Sequence, residues 1–448
     1  MSATFETLRR EFGGDIIEPG AAEYEAASRS KLVQGSPAHI LRPKTVGDVQ
    51  AAVRYAAGSG LALSVRGGGH SFPGFGTNDG GLVIDLGELA DIEVVDDDRR
   101  LVRIGGGATW GQVAEALTPH GLAISSGDTK SVGVGGLTLS GGIGWKVRKH
   151  GLTLDSLVAG ELVTADGAVV HASTHENPEL FWAIRGGGGN LGIVTSFEFV
   201  AQPTTEIFFG KITFPAAETA SVLQGWAGHL RTAPDELTSV ANLANPFAGG
   251  HEAPVEIHVA FDGDDPELAN RALDPIRRLG TVLADDVAPH AYADVLVEGA
   301  ELPPGLELLG HSGFLDQESV PAALEILAEV GTSAGSPSIA IRSVGGAVSR
   351  VADDATAYAH RRAELLVATI AGGPKPVIEA ARPGLAAIWA RLAPHVDGAY
   401  SNFLTSTAAE DVAAVYPAGT YERLAAVKRQ YDPSNLFARN HNVPPEAE

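Results

Sequence analysis

The chain has 448 residues, of which 44% are hydrophobic and 19% charged, and its formal net charge at pH 7 is -23. The length predicts two domains or one elaborated domain, and the composition is that of a globular protein rather than a disordered one. The acidic balance argues against a nucleic-acid or anionic-membrane surface. The complete absence of cysteine excludes disulfides, thiolate metal sites, cysteine nucleophiles and cysteine-linked cofactors.

The N-terminal segment and the hydropathy pattern predict a soluble, cytoplasmic protein. Residues 1–10 lack the apolar core of a signal peptide. The sequence contains no apolar run of about 18 residues that could span a bilayer. We therefore expect small-molecule partners, no nucleic acid, no membrane and no metal site, while the oligomeric state cannot be read from the sequence.

Short strands, helices and glycine-rich turns alternate over the first 200 residues. A helix-like segment at 49–57 and an apolar run at 61–65 lead into Ser64-Val-Arg-Gly-Gly-Gly-His-Ser71. Further elements are predicted, in chain order, as strands at 81–86, 92–95, 101–104 and 157–163 and helices at 109–120 and 178–183. The pattern is a mixture of α and β elements without a clean series of βαβ units.

The pattern changes near residue 202, where glycine becomes less frequent and longer alternating strands appear between amphipathic helices. The predicted elements are strands at 208–214, 255–261 and 338–344 and helices at 267–279 and 320–330. Strands with helices on one face indicate a second α+β domain. The stretch 412–430 predicts one or two helices before the C-terminal segment.

The glycine–histidine segment has two interpretations. Gly67, Gly68 and Gly69 leave backbone N–H groups accessible to an anionic group such as a pyrophosphate. His70 follows directly and offers an imidazole that can serve as nucleophile, base or covalent tether. The alternative is a glycine-rich surface turn with an incidental histidine.

The other glycine clusters discriminate between classes of cofactor. Residues 136–141 have the spacing of a Walker phosphate loop but lack the following Lys and Ser/Thr. Residues 105–111 are one position too long for the dinucleotide fingerprint. A nicotinamide or nucleoside triphosphate enzyme is therefore disfavoured, which leaves a cofactor whose pyrophosphate is held by several loops. The stretch 126–144 has two interpretations: it belongs to such a cofactor site, or it is a glycine-rich buried turn packed against a helix.

The N-terminal half contains, in order, Arg66-Gly-Gly-Gly-His-Ser71, Val132-Gly-Val-Gly-Gly-Leu-Thr-Leu139, Gly151-Leu-Thr-Leu-Asp155 and the segment 180–194. These motifs resemble the FAD-binding domain of the vanillyl-alcohol oxidase and p-cresol methylhydroxylase (PCMH) superfamily. The segment 431–443 resembles the closing motif of its berberine-bridge-enzyme-like branch. The resemblance implies an α+β, two-domain PCMH-type fold, with an FAD-binding domain at 1–205 plus 400–448. The substrate-binding domain at 206–399 would be an antiparallel sheet covered by helices.

The resemblance implies a set of FAD contacts. His70 matches the histidine that bonds the 8α carbon of the flavin, and a histidine hydrogen-bonded beside non-covalent FAD is the alternative. Many relatives carry a second tether, a cysteine, where this chain has Thr129, so the link would be single. The implied contacts are Arg66, Gly67, Gly68, Gly69, His70, Ser71, Val132, Gly133, Gly135, Gly136, Leu137, Gly141, Gly142, Gly144, Asn190, Ile193, Val194, Asn440 and Asn442.

The residues on the substrate side depart from the family pattern. Tyr400-Ser-Asn402-Phe403 corresponds to a Tyr-x-Asn-Tyr segment whose second tyrosine is often the base, but Phe403 has no hydroxyl. Tyr400, with Asn402 beside it, or another group would have to serve. Arg342 is a further candidate, because a cation near flavin N1 stabilises the reduced anion. Weaker candidates for the cleft are His258, His311 and Tyr358.

The resemblance implies an FAD-dependent oxidoreductase that takes hydride from a small organic substrate to flavin N5. Val132 falls where the family guards oxygen access, and valine there resembles oxidases, which reduce O2 to H2O2. The substrate would be an alcohol, a sugar, an amine or a secondary metabolite. The Lys-x-Glu pair of amine-oxidising relatives is missing at Ala340-Ile-Arg342. The alternatives are a dehydrogenase, a flavin-binding protein without oxidase chemistry, and an oxidative cyclase.

Overall fold

The computed structural model describes residues 4–243, 253–298, 303, 305–333 and 335–445. Within these residues the strands form four sheets. The elements up to residue 203 are α1 (Phe5–Glu11), β1 (Asp15–Ile17), α2 (Tyr24–Ser28), β2 (His39–Arg42), α3 (Val46–Ser59), β3 (Leu63–Arg66), β4 (Leu82–Asp85), β5 (Ile92–Asp96), β6 (Leu101–Gly105), α4 (Trp110–Leu117), β7 (Leu122–Ala123), α5 (Val134–Ser140), α6 (Val147–His150), β8 (Leu157–Val163), β9 (Val169–Ser173), α7 (Pro178–Ala183), β10 (Ile193–Val200) and β11 (Gln202–Pro203).

Two principal sheets form this first part. The sheet β1-β2-β4-β3 has parallel pairs from β2 to β3 and an antiparallel edge at β1. The sheet β5-β6-β10-β8-β9 is antiparallel throughout, and β7 pairs with β11. The strands predicted at 81–86, 92–95, 101–104 and 157–163 all lie in these sheets, which confirms them.

Helix α3 shows how local sequence positions the glycine–histidine segment. Thr45 and Asp48 form a reciprocal capping box at its start, an arrangement that stabilises a helix by about 1 kcal/mol. Gly60, with φ of 71°, ends the helix in the left-handed region. Val49 and Ala52 are buried against the first sheet together with Leu82. The chain therefore re-enters the sheet as β3 and delivers residues 67–70 at its end.

The second part of the chain is built on one large sheet. Its elements, with the C-terminal helices, are β12 (Glu206–Phe214), α8 (Thr219–Leu230), β13 (Leu237–Leu243), β14 (Val255–Asp262), α9 (Pro266–Arg277), β15 (Ala284–Asp285), β16 (Ala288–Ala291), β17 (Leu306–Leu315), α10 (Val320–Gly331), β18 (Ser338–Ser343), β19 (Leu365–Pro374), α11 (Lys375–Leu392), α12 (Ala409–Val415) and α13 (Ala418–Tyr431). The strand order is β15-β12-β14-β13-β18-β19-β17, with β16 beside β12, and every pairing is antiparallel.

The two faces of this sheet have different partners. On β18, Ile339 and Ile341 are buried in the apolar core beneath helices α8 to α10, while Arg342 points to the other face. That other face packs against the first part of the chain, where Val240 and Ala260 join Trp145 in one cluster. The predicted α+β architecture, with helices covering an antiparallel sheet, is confirmed. No helix in the described ranges is both long and apolar enough to cross a membrane.

A buried ion pair joins the two parts. Lys146 Nζ contacts the Asp262 carboxylate, and His150 Nε2 lies 2.8 Å from the second carboxylate oxygen. Burial opposes ionisation of Asp262, but the His150 hydrogen bond and the Lys146 charge outweigh it and hold the pKa well below its usual range. Removing one partner of such a pair typically costs about 3–5 kcal/mol, because the other charge is left buried.

The C-terminal segment returns to the first part. The 412–430 stretch forms two helices, α12 and α13, and Leu424 and Val443 lie in the same core cluster as Phe197 of β10. Lys428, fully buried, donates to the carbonyls of Asn190 and Phe437, each at 2.9 Å. The C-terminal segment thus packs on the first part of the chain, and the domain division stays a prediction.

Candidate active site

A cavity with about 1850 Å³ of empty space, part of it open to solvent, is lined by loops of the first part and by the returning segment 400–441. It brings together most of the residues predicted to hold a cofactor or substrate, namely Arg66, Gly67, Gly68, Gly69, His70, Ser71, Val132, Gly133, Gly135, Gly136, Leu137, Ile193, Val194, Tyr400, Asn402 and Asn440. The remaining predicted residues, Gly141, Gly142, Gly144, Asn190, Arg342 and Asn442, do not line it.

One wall of the cavity, the glycine wall, consists of residues 67–69 and 133–136. A Cβ on Gly68 would overlap the backbone nitrogen of Gly133, so the two loops are in backbone contact. A Cβ on Gly136 would meet nothing within 4 Å and would project into open space. Glycine therefore has two uses here: it lets the loops approach each other, and it keeps the cavity clear for a flat ligand.

His70 stands beside this wall with one ring nitrogen occupied. Its Nε2 lies 2.9 Å from the Ser131 hydroxyl, while Nδ1 has no hydrogen-bond partner among the described residues. Burial, reinforced by the charge of Lys31, lowers the pKa of His70 from its usual value, although an interaction with the Ser131 backbone works in the opposite direction. The ring is therefore neutral near pH 7, as a nucleophilic imidazole must be.

A second wall, the tyrosine wall, is formed by Tyr400, Asn402 and Phe403 with Phe72 and Asp128. The Tyr400 hydroxyl accepts hydrogen bonds from the Gly142 N–H at 3.1 Å and from Asn402 Nδ2 at 2.9 Å. The Ser312 hydroxyl on β17 bonds both backbone groups of Tyr400 at 3.0 Å, which fixes the residue against the large sheet.

Tyr400 is buried, and this burial raises the pKa of its phenol above the usual value. The two N–H donors and the charge of Arg342 act in the opposite direction, because they stabilise the phenolate. An oxygen that already accepts two hydrogen bonds is arranged to receive charge, which is the property a base needs.

Arg342 does not line the cavity itself, but it contacts Asp128, which does. Its Nη2 donates to Asp128 Oδ2 at 2.7 Å, and its guanidinium carbon lies 5.3 Å from the centre of the Phe403 ring. Burial opposes ionisation of Asp128, but the charge and hydrogen bond of Arg342, together with the hydrogen bond from Thr129, outweigh it and lower the pKa of that carboxyl. Arg342 thus keeps Asp128 ionised at the cavity surface instead of facing the cavity itself.

The predicted glycines outside the cavity serve packing within the protein. A Cβ on Gly141 would lie 3.1 Å from the Tyr358 ring, and one on Gly144 would overlap the Ser126 carbonyl. Gly142 contributes its N–H to Tyr400.

The predicted asparagines hold the C-terminal segment. Asn190 bonds the carbonyl of His441 at 3.1 Å and the N–H of Val443 at 2.9 Å. The side-chain oxygens of Asn440 and Asn442 are buried without a partner in the described part of the protein. Since Asn440 lines the cavity, its oxygen is placed to meet a ligand.

The weaker candidates lie in three different places. His258, on the sheet face toward the first part, contacts Glu256 at 3.3 Å. His311 lies against Trp389 of α11, with ring centres 5.7 Å apart. Tyr358 is buried behind Gly141, and its hydroxyl has no partner within the described ranges.

Several cavity residues were missed by sequence reasoning: Phe72, Phe75, Asp128, Tyr416, Phe437, Arg439 and His441. Phe72 and Phe75 follow the glycine–histidine segment directly, and their aromatic character was an available signal. Asp128 immediately precedes Thr129, the position that had been singled out. Tyr416 belongs to no motif, and only the fold brings it to the cavity.

The cavity fits FAD. Backbone N–H groups of the glycine wall suit a pyrophosphate, and the apolar side chains of Val132, Leu137 and Ile193 suit aromatic rings. The unpartnered Asn440 oxygen supplies a polar contact. No cluster of three or more His, Asp or Glu side chains that could hold a metal ion occurs in the residues covered by the structure.

Comparison with known proteins decides the family. Residues 37–173 match the family model of an FAD binding domain, and residues 399–444 match that of berberine and berberine-like proteins. The chain is 34% identical over 458 residues to (R)-6-hydroxynicotine oxidase of Paenarthrobacter nicotinovorans, covering 97% of each. The chain belongs to the berberine-bridge-enzyme-like branch of the vanillyl-alcohol oxidase and PCMH superfamily.

Solved structures agree with this assignment. The 6-hydroxy-D-nicotine oxidase from Arthrobacter nicotinovorans superposes with a TM-score of 0.86 at 31% identity, covering 97% of this chain and 98% of that one. Glucooligosaccharide oxidase from Acremonium strictum, described with a 6-S-cysteinyl, 8α-N1-histidyl FAD, gives 0.87 at 27% identity over the full length of both. Like these berberine-bridge-enzyme-like relatives, the protein is an FAD-linked oxidoreductase, and oxidase activity is favoured. The family and the activity predicted from sequence are confirmed.

Proposed function

We propose that this oxidase holds FAD through a single covalent link at His70 and uses Tyr400 as the base that takes a hydroxyl proton from an alcohol or sugar substrate. The observation that carries the proposal is the Tyr400 oxygen, which accepts hydrogen bonds from Gly142 N–H and Asn402 Nδ2. When bound, FAD accepts the hydride from the substrate carbon and passes the electrons to O2, giving H2O2.

The neighbouring charges favour a neutral substrate over a cationic amine. Asp128 is paired with Arg342, so its carboxylate offers a hydrogen-bond acceptor rather than an unbalanced negative charge. Phe72 and Phe403, with ring centres 6.3 Å apart, supply apolar surface beside it. A hydrogen-bond acceptor beside apolar surface suits a substrate ring that carries hydroxyl groups. Glucooligosaccharide oxidase of Sarocladium strictum, which is 31% identical over 459 residues, is named for such a substrate.

A single tether is consistent with the composition of the chain. Glucooligosaccharide oxidase is described with both cysteinyl and histidyl links, but this chain has no cysteine. Thr129 instead donates its hydroxyl to Asp128 Oδ1 at 2.9 Å. His70 keeps Nδ1 available while Nε2 contacts the Ser131 hydroxyl, and with that hydroxyl accepting from Nε2–H the lone pair of Nδ1 would be the nucleophile.

Val132 is the residue that we propose governs access of O2. It lines the cavity, and its β-branched side chain is short. We also retain the domain boundaries 1–205 with 400–448 and 206–399, since Ser312 and Arg342 of the second part support Tyr400 and Asp128 of the first.

Substrate-dependent bleaching of the flavin tests the function. The purified protein is mixed anaerobically with a panel of alcohols, mono- and oligosaccharides and amines, and absorbance of the oxidised flavin is followed. We expect a sugar or alcohol to bleach it, and air to restore the colour with stoichiometric H2O2. Bleaching by amines alone would contradict the substrate assignment, and slow reoxidation without peroxide would indicate a dehydrogenase.

A further inference from the structure

The charged side chains that line the cavity differ in whether an oppositely charged partner contacts them. In the part of the chain that the structure describes, the cavity is lined by the charged residues Arg66, Asp128 and Arg439. Arg66 donates to Asp85 at 2.8 Å, a carboxylate that it shares with Arg42, and Asp128 accepts from Arg342 at 2.7 Å, so each of these two side chains has a counter-charge in contact. Arg439 forms no ion pair with any described residue. It is therefore a positive charge at the cavity surface without a counter-charge.

The guanidinium of Arg439 is held by neutral groups. Its Nε donates to the Ser64 hydroxyl at 3.0 Å, and Nη2 donates to the Thr77 carbonyl at 2.9 Å. Ser64 lies on β3, the strand that leads into the glycine–histidine segment. These contacts orient the side chain and leave Nη1 without a hydrogen bond to the described residues. A pre-oriented fork with a free N–H group is suited to a phosphate oxygen.

The segment that carries Arg439 is fixed before any ligand binds. Asp432 accepts hydrogen bonds from the N–H groups of Leu436 and Phe437, at 2.7 and 2.9 Å. Buried Lys428 donates to the Phe437 carbonyl two residues before Arg439. A ligand that pairs with Arg439 therefore does not have to order this turn first.

We propose that Arg439 pairs with the pyrophosphate of FAD and supplies the cationic part of its binding site. FAD carries about two negative charges on that group, and the protein has a formal net charge of -23. The negative charge of the protein therefore repels the pyrophosphate, and glycine N–H groups alone supply no positive charge to offset this repulsion. Arg66, the arginine that the sequence motif assigns to the cofactor, already donates to Asp85 and to the Arg29 carbonyl, whereas Arg439 has no ion-pair partner among the described residues.

Flavin affinity in the His70→Ala protein tests the proposal, because the flavin is exchangeable there whether or not the wild type links it. FAD and riboflavin are titrated into the apoprotein with and without Arg439→Gln, following flavin fluorescence. We expect Arg439→Gln to weaken FAD binding about tenfold or more, the size expected for a lost charge-assisted hydrogen bond. Riboflavin, which has no phosphate, should bind equally well to both proteins.

Salt dependence separates phosphate pairing from stacking of the guanidinium on the adenine. Added salt should weaken FAD binding more in the protein with Arg439 than in the Arg439→Gln variant, because salt screens a charge pair. Arg99→Gln removes one exposed cation without touching the cavity and should change neither affinity. Equal losses for FAD and riboflavin, no loss for either, or an FAD-specific loss with unchanged salt dependence would overturn the proposal.

Discussion

The glycine wall and the tyrosine wall of the cavity are built on different principles. The glycine wall uses backbone from two loops, and it works because side chains are absent at Gly68 and Gly136. The tyrosine wall uses side chains from distant elements, with Tyr400 fixed by Ser312 of β17 and Asp128 held by Arg342 of β18. A substitution in the first wall should therefore damage fold and cofactor together, whereas one in the second should change the chemistry and leave the cofactor bound.

The strongest test of this contrast is Tyr400→Phe, which removes the hydroxyl and keeps the ring. We expect kcat to fall by about 100-fold or more, since a positioned base contributes about 10²–10⁴-fold, while flavin content stays at the wild-type level. In the wild type kcat/KM should rise with pH as the phenolate forms, and this rise should be absent in the variant.

The control is Tyr421→Phe on α13, a partly buried tyrosine that does not line the cavity. It should retain wild-type kcat. If Tyr400→Phe kept activity within a few-fold of the wild type, another group would be the base.

Gly68→Ala tests the glycine wall. The new Cβ overlaps the backbone of Gly133, which cannot move as a flexible side chain can, so we expect a loss of about 3 kcal/mol in stability together with a lower flavin-to-protein ratio. Thermal denaturation and the visible flavin absorbance measure the two effects.

Gly228→Ala on α8 is the matched control, because its Cβ would meet nothing within 4 Å. It should leave flavin content unchanged and should raise stability slightly, as alanine favours a helix. Normal stability and flavin content in Gly68→Ala would mean that the two loops are not in the close contact described.

The Arg342→Met substitution tests whether an arginine outside the cavity affects catalysis through its contact with Asp128. We expect kcat/KM to fall about tenfold, since the pair is only partly shielded from solvent. Without Arg342 the pKa of Asp128 rises, because only the hydrogen bonds from Thr129 and the backbone then oppose the effect of burial. The variant should therefore lose activity in mildly acid solution where the wild type does not.

The control for charge alone is Arg350→Met, which breaks an exposed ion pair with Asp235. Its pH profile should match that of the wild type. An unchanged profile in Arg342→Met would show that Asp128 does not depend on this partner.

The smallest expected effect is the pH dependence of flavin attachment. Burial lowers the pKa of His70, so the ring stays neutral at the usual histidine pKa of about 6.5 and becomes protonated only in more acid solution. The rate of covalent incorporation of FAD into apoprotein should be constant above that pH and fall below it. A rate that instead rises as the solution becomes more acid would contradict a neutral nucleophile.

The sequence predicted the glycine wall well because its determinants are local. Gly67 to His70 lie together on one turn, and the spacing of residues 132–139 encodes the second loop. The motif also assigned Gly141 and Gly144 to the cofactor, but these positions pack against Tyr358 and Ser126. A sequence cannot distinguish a glycine that makes room for a ligand from one that makes room for a neighbouring side chain.

The tyrosine wall could not be predicted in the same way. The Arg342–Asp128 contact joins residues 214 positions apart, and the bond from Gly142 to Tyr400 spans 258 positions. Sequence reasoning named Tyr400 and Arg342 as separate candidates. Only the packing of the large sheet against the first part of the chain shows that Arg342 contacts the Asp128 carboxylate and that the Tyr400 oxygen accepts from two N–H donors.

Acid precipitation of the purified protein tests the central claim most directly. The account predicts that the yellow flavin stays in the pellet, that the intact mass of the chain is increased by one FAD, and that His70→Ala releases the flavin into the supernatant. Flavin found in the supernatant of the wild-type protein would contradict the claim that this chain carries a histidyl tether at His70.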